Sequence, residues 1–246
     1  MRMKWLAGLA GVLVLVAAQA QASPVTVYAN ASIYDAGSTT LNYGDSAPTS
    51  VSLSAGTTSL TFTGVTGSLT CTYSDGCISL NNGGNYNNPD GIGSAAGFYT
   101  GGTLSLSGIT LANAGALVGV FLDGPPAGVS PTALDFSTSG ATAFTSLTPL
   151  INQVFFIGDG LTGNGSGSVQ SFNVPTGART LYLGIADACG YNGGPSCYSD
   201  NRGSFSATVN QLGAVTPTVP EPASFAILAV GMLGLLGAAR MRRTRA

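Results

Sequence analysis

Apolar and polar residues alternate with period two along most of this chain. Val51 and Leu53 stand among serines, Leu60 and Phe62 among threonines, and Leu104 and Leu106 repeat the pattern. Leu181, Leu183 and Ile185 share one face, as do Phe205, Ala207 and Val209. Successive side chains on a strand point to opposite faces, so the alternation predicts strands buried on one side. Residues 116–122 and 154–157 are apolar at every position, which predicts central strands covered from both sides. No stretch of the body repeats at the helical period. The predicted strands are separated by Gly, Pro and Asn turns, with long polar loops at residues 81–91 and 158–167. This pattern predicts an all-β body folded as an antiparallel β-sandwich.

Both ends break the pattern. Arg2 and Lys4 precede an apolar run at residues 6–18, and residues 18–20 and 20–22 both read small-x-small. These are the marks of a helical secretory signal, residues 1–22, removed by signal peptidase to leave a mature chain starting near Ser23. The run is short for an N-terminal membrane anchor, and its Ala-rich exit suits a peptidase. At the other end, residues 213–222 form a Pro-rich linker kept extended by Pro217, Pro220 and Pro222. Residues 223–239 form an apolar run that spans about 26 Å as a helix, at the short end for a transmembrane segment. Residues 240–246 carry Arg240, Arg242, Arg243 and Arg245, which the positive-inside rule keeps cytoplasmic. The exported β domain is then residues 23–212.

Charge sharpens this division. The body holds two basic residues, Arg179 and Arg202, against nine aspartates, a net charge of −7, with no lysine and no histidine. Such a surface repels phosphates, which excludes nucleic acid as a partner. Without histidine or lysine, Ser-His-Asp, Cys-His and Schiff-base chemistry are excluded as well. A pair of aspartates for glycoside hydrolysis is compatible with the composition, but Asp75, Asp90, Asp123 and Asp159 each precede a glycine, which is turn chemistry first. The expectation is a protein that is not an enzyme. The cysteines fall in two close pairs, Cys71 with Cys77 and Cys189 with Cys197. In an oxidising compartment the simplest of the three pairings is two local disulfides. A zinc site is the alternative, and the absence of histidine argues against it.

Val219-Pro220-Glu221-Pro222, the apolar span and the cluster Arg240, Arg242 and Arg243 resemble a PEP-CTERM sorting signal. That resemblance implies processing near the Pro-Glu-Pro triplet by an exosortase, a membrane-embedded cysteine protease. The precursor is then held transiently in the inner membrane with its body outside, and the mature form is secreted or displayed on the cell surface. Such hosts make an exopolysaccharide matrix. The alternative reading of the tail is a permanent anchor.

Within the body, residues 178–210 place a strand before Asp187, a loop bracketed by Cys189 and Cys197, then Asp200-Asn201 and the strand from Ser204. If the two strands pair as a hairpin, Asp187 faces Asp200 and Asn201. Two carboxylates, an amide oxygen and loop carbonyls are the hard oxygen donors that calcium prefers. Tyr191 and Tyr198 would offer rings to pack on a sugar face. These residues resemble the LecA-like, galactose-binding bacterial lectins. The resemblance extends in order through residues 41–56, 87–93 and 115–124. It implies a galactose-binding-type sandwich with calcium at Asp187, Asp200, Asn201 and the backbone carbonyl of Cys197, and a further carbonyl within residues 66–71. The chain departs from the pattern in its longer, cysteine-containing loop, in Asp200 standing where an asparagine stands, and in lacking the family's sugar-holding histidine. Two functions follow as expectations. One is a calcium-assisted module for extracellular polysaccharide; the other is a structural matrix protein with no specific ligand.

Overall fold

The structure, a computed structural model, describes residues 21–71, 87–91, 96–103, 105–138 and 140–213. The predicted signal helix up to residue 20, Cys77, Leu104, residues 81–86 of the first polar loop, and the linker from residue 214, transmembrane helix and Arg tail lie outside the described residues. Among the described residues no helix is long and apolar enough to cross a membrane.

The all-β expectation is met. In chain order the strands are β1 (Gln21–Tyr28), β2 (Thr49–Ser52), β3 (Ser59–Cys71), β4 (Ala96–Thr100), β5 (Ile109–Asn113) and β6 (Leu117–Leu122). Then come β7 (Leu134–Phe136), β8 (Ser146–Leu147), β9 (Val154–Phe156), β10 (Leu161–Gly163) and β11 (Ser166–Val169). The last are β12 (Ser171–Asn173), β13 (Thr180–Ile185), β14 (Asn192–Gly193) and β15 (Asn201–Leu212). The first sheet has the order β1-β15-β3-β12-β8, the second β2-β13-β6-β9, and the third β14-β4-β5-β7. The long pairings are antiparallel, as with β15 on β1 and β3. Short parallel pairs, β12 with β8, β5 with β7 and β14 with β4, make the first and third sheets mixed, while the ladders of the second are antiparallel throughout.

Two hydrophobic cores explain the layering. The first gathers Val27, Leu60, Phe62 and Phe205 of the first sheet with Leu117, Phe121, Phe155, Leu181 and Leu183 of the second. The second core gathers Val118, Val120, Leu122, Val154 and Phe156 of the second sheet with Phe98, Ile109 and Leu111 of the third. Consecutive residues of β6 therefore alternate between the two cores, and so do those of β9. This is why residues 116–122 and 154–157 carry no polar side chain: the second sheet is covered on both faces. Phe172 is the hub of the first core. Its ring lies 5.2 Å from Phe62, 5.7 Å from Phe144 and 5.6 Å from Phe155.

Three local expectations need correction. Leu106 is buried in the second core, but it sits in a bend rather than a strand. Glycines at 101, 102 and 108 frame that bend, and the Leu106 N–H donates to Thr103 Oγ1 at 3.1 Å. The second polar loop, residues 158–167, contains most of a hairpin, with β10 paired to β11. Asn164-Gly165 forms its tip, where Gly165 takes the left-handed conformation at φ 66°. Finally, β13 and β15 do not form a hairpin. β13 lies in the second sheet between β2 and β6, and β15 in the first sheet between β1 and β3. The two strands share the first core rather than a ladder. β1 also begins at Gln21, so cleavage after residue 22 would remove its first two pairs, with Gln211 and Asn210.

Candidate functional site

The end of β13 is held from several directions. The Ile185 N–H donates to the Ala31 carbonyl at 2.9 Å, and Ser32 bridges to Ile185. The turn that follows Ser32 is locked by Asp35, 2 % exposed, whose carboxylate accepts the N–H groups of Asn42, Tyr43 and Gly44 at 2.8, 3.2 and 2.8 Å. Beyond β13, the Asp187 N–H donates to the Tyr198 hydroxyl at 2.9 Å, and that hydroxyl donates to the Ile185 carbonyl at 3.3 Å. Tyr198 is 1 % exposed, part of the first core. Its ring is thus a buried strut under the loop and not a platform for a sugar. Burial, with the neighbouring Tyr34 oxygen adding to it, moves its hydroxyl well above the ordinary tyrosine range.

The loop between β13 and β15 closes on itself. Cys189 and Cys197 form a disulfide, as their spacing predicts. The Cys189 N–H donates to Ser196 Oγ at 3.0 Å, and the Ser196 N–H donates to the Asp187 carbonyl at 3.2 Å. β14, inside the loop, pairs with Tyr99 and Thr100 of β4 and so ties the loop to the third sheet. Cys197 adopts the left-handed region at φ 65° as the chain turns toward Asp200. The predicted pairing of Cys71 with Cys77 involves a residue, Cys77, outside the described residues.

Asn201, the first residue of β15, reaches across from the first sheet. Its Nδ2 donates to Asp187 Oδ2 at 2.6 Å, while Asp187 Oδ1 accepts the Ala188 N–H at 2.7 Å. So Asp187 and Asn201 do meet, but between two sheets rather than across a hairpin. Burial pushes the Asp187 carboxyl up to about 7; the bonds from Asn201 and Ala188 oppose this, and the Asp200 charge adds to it. Asp200 is also raised, chiefly by burial, with the Arg202 charge pulling the other way. Arg202 donates to the carbonyls of Ser199 and Asn201 at 2.6 and 2.7 Å, which fixes the exit of the loop. Tyr191 is half-buried, and its hydroxyl is raised first by burial and then by the charges of Asp187 and Asp200.

The donor set fits a hard cation in kind. Two repelling carboxylates in a poorly solvated loop gain from a divalent ion, and Asn201 has an amide oxygen that a flip of its side chain would turn toward Asp187. Among the described residues no three acidic, histidine or cysteine side chains converge, so the remaining donors would be amide and backbone oxygens. The β3 residue opposite Asn201 is Cys71, which brings the end of the 66–71 segment to the same edge.

The fold and loop define an all-β domain with a paired-carboxylate loop at one end of two facing sheets. Its address lies in the tail: residues 218–243 match the PEP-CTERM protein-sorting motif. This motif implies export through a membrane-anchored precursor and an exosortase as the processing partner. No curated protein and no solved structure matches the chain.

Proposed function

We propose that the exported domain is a calcium-assisted carbohydrate-binding module, with a galactose-lectin-like sandwich, that retains extracellular polysaccharide in the matrix. Asp187, Asp200, the Asn201 amide oxygen and the Cys197 carbonyl would hold the ion, and Tyr191 would line the sugar side. The supporting observation is the meeting of Asn201 and Asp187 at 2.6 Å from opposite sheets, beside the like charge of Asp200. A cation there would relieve the repulsion and offer open positions to vicinal hydroxyls. The protein acts by binding and not by catalysis. Calcium should raise the melting temperature of the full chain, excess EDTA should reverse this, and Asp187→Ala should remove both the shift and retention of glycan on an array. A melting temperature indifferent to calcium, with no glycan retained, would sink the proposal.

The second reading, a structural matrix protein, is favoured by one observation. Both Asp187 oxygens already have protein donors, so the loop closes without a ligand. Altered cell aggregation on deletion, together with a chain that binds neither calcium nor sugar, supports that reading.

A further inference from the structure

The two basic residues of the body, Arg179 and Arg202, are used differently. The Arg202 guanidinium is committed to the carbonyls of Ser199 and Asn201. Arg179 is pinned only by its backbone, just before β13. Its N–H donates to the Leu122 carbonyl at 2.8 Å, and its carbonyl accepts the Leu53 N–H at 2.9 Å. Its side chain is exposed and has no hydrogen-bond or ion-pair partner among the described residues. That side chain lines a cleft of about 610 Å³ between two turns. The turn at residues 54–57 is closed by the Thr57 N–H donating to the Ser54 carbonyl at 3.1 Å. The turn at residues 175–178 is closed by the Ala178 N–H donating to the Pro175 carbonyl, also at 3.1 Å. The third residue of each is a left-handed glycine, Gly56 at φ 78° and Gly177 at φ 92°, as a type II turn requires. The closing bond leaves out the N–H groups of the second and third residues. Those of Ala55, Gly56, Thr176 and Gly177 have no partner among the described residues, and all four residues line the cleft. No aspartate lines it among the described residues.

We propose that this cleft binds a small organic monocarboxylate, paired with the Arg179 guanidinium and completed by the N–H groups of the two turns. A guanidinium fork matches a carboxylate with two parallel bonds, and backbone N–H groups add donors without adding charge. The charge balance selects a monoanion. One cation stands here in a body of net charge −7, so a phosphate dianion would leave a charge unneutralised. The volume falls within the usual range of small-molecule sites. The six residues of β13, at about 3.3 Å each, put roughly 20 Å between the cleft and the Asp187 loop. The inference therefore stands or falls apart from the calcium site.

Saturation-transfer NMR on the full chain in detergent, in low-salt Tris buffer without added calcium, tests the proposal. The probes are lactate, gluconate and glucuronate, with glucose as the neutral control. Transfer to at least one carboxylate and none to glucose is expected, and it should survive Asp187→Ala. Arg179→Gln changes an exposed side chain, so the protein should fold as the parent does, and binding should weaken by about tenfold or more. Ala55→Pro keeps the charge and suits the second position of a type II turn, but removes one N–H; it should weaken binding about threefold. No transfer to any of the three carboxylates overturns the proposal, as does equal transfer to glucose. Binding unchanged in Arg179→Gln overturns it too. So does binding unchanged in Ala55→Pro, which would mark a surface arginine attracting any anion. Inorganic phosphate displacing the probe more strongly than unlabelled carboxylate, or transfer lost with Asp187→Ala, would also overturn it.

Discussion

Replacing Asp187 by Asn probes the electrostatics of the loop most directly. Burial carries this carboxyl from its ordinary 3.8 up to about 7, even with the Asn201 and Ala188 donors opposing the shift. The folded chain therefore holds a proton that the unfolded chain releases. Asp187's contribution to stability is fully present below the unfolded value and is lost as pH rises from there through about 7. At about 1.4 kcal/mol per pH unit, ionising Asp187 in the folded protein costs at most about 4 kcal/mol. Asparagine mimics the protonated carboxyl. Its carbonyl keeps the Ala188 N–H, and its NH₂ faces Asn201, whose amide turns to present oxygen. In excess EDTA, parent and Asp187→Asn proteins should melt together near about pH 4. By about pH 8 the variant should be the more stable, by up to about 4 kcal/mol, or about 10 °C for a domain of this size. Asp90, itself raised to about 6 mainly by burial, tilts both proteins equally and cancels in the difference. Thermal melts followed by near-UV circular dichroism across this pH range supply the measurement. A difference that does not change with pH, or that shrinks as pH rises, would refute the assignment of the buried charge.

The Asp35 turn and the disulfide give two further tests. Asp35→Ala removes the acceptor for three backbone N–H groups. Even with the exposed donors rehydrated it should cost about 3 kcal/mol, read as a drop of about 10 °C in melting temperature, with Asp35→Asn falling between variant and parent. Replacing Cys189 and Cys197 together by Ser opens a loop with a sequence separation of 8 and should cost about 2–3 kcal/mol in denaturant unfolding; no change in midpoint would show that the hydrogen bonds of Ser196 alone close the loop.

The pairing of β13 and β15 shows where sequence reasoning reached its limit. Both strands are legible from their alternation, which also marks the buried face of each. The loop between them offers no turn chemistry that names a partner. The assumption that neighbours in sequence pair made a hairpin, whereas the chain crosses between sheets. The contact between Asn201 and Asp187 does not depend on a hairpin, for a physical reason. Two strands packed across one core still bring their ends to the same edge, so Asn201 meets Asp187 either way. Tyr198 is different: a tyrosine in a polar loop reads as exposed, and only packing against the first core shows its ring buried and its hydroxyl used to hold the backbone. The Asn164-Gly165 dipeptide is a hairpin signal that the glycines around it dilute. Asp90 carried no signal beyond its glycine neighbour, because its partner Asp159 lies 69 residues away.

The chain alone determined whatever depends on nearby residues. Period-two alternation gave strands, unbroken apolar runs gave the doubly covered sheet, cysteine spacing gave the Cys189–Cys197 disulfide, and the order of triplet, span and arginines gave the sorting signal. These features follow from local geometry and short-range chemistry. The tertiary structure decided which strands share a ladder, which tyrosine is buried, and which aspartates lose their water. Those outcomes depend on contacts between distant segments, where burial sets the charge state of Asp187 and leaves one oxygen of Asp90 without a donor.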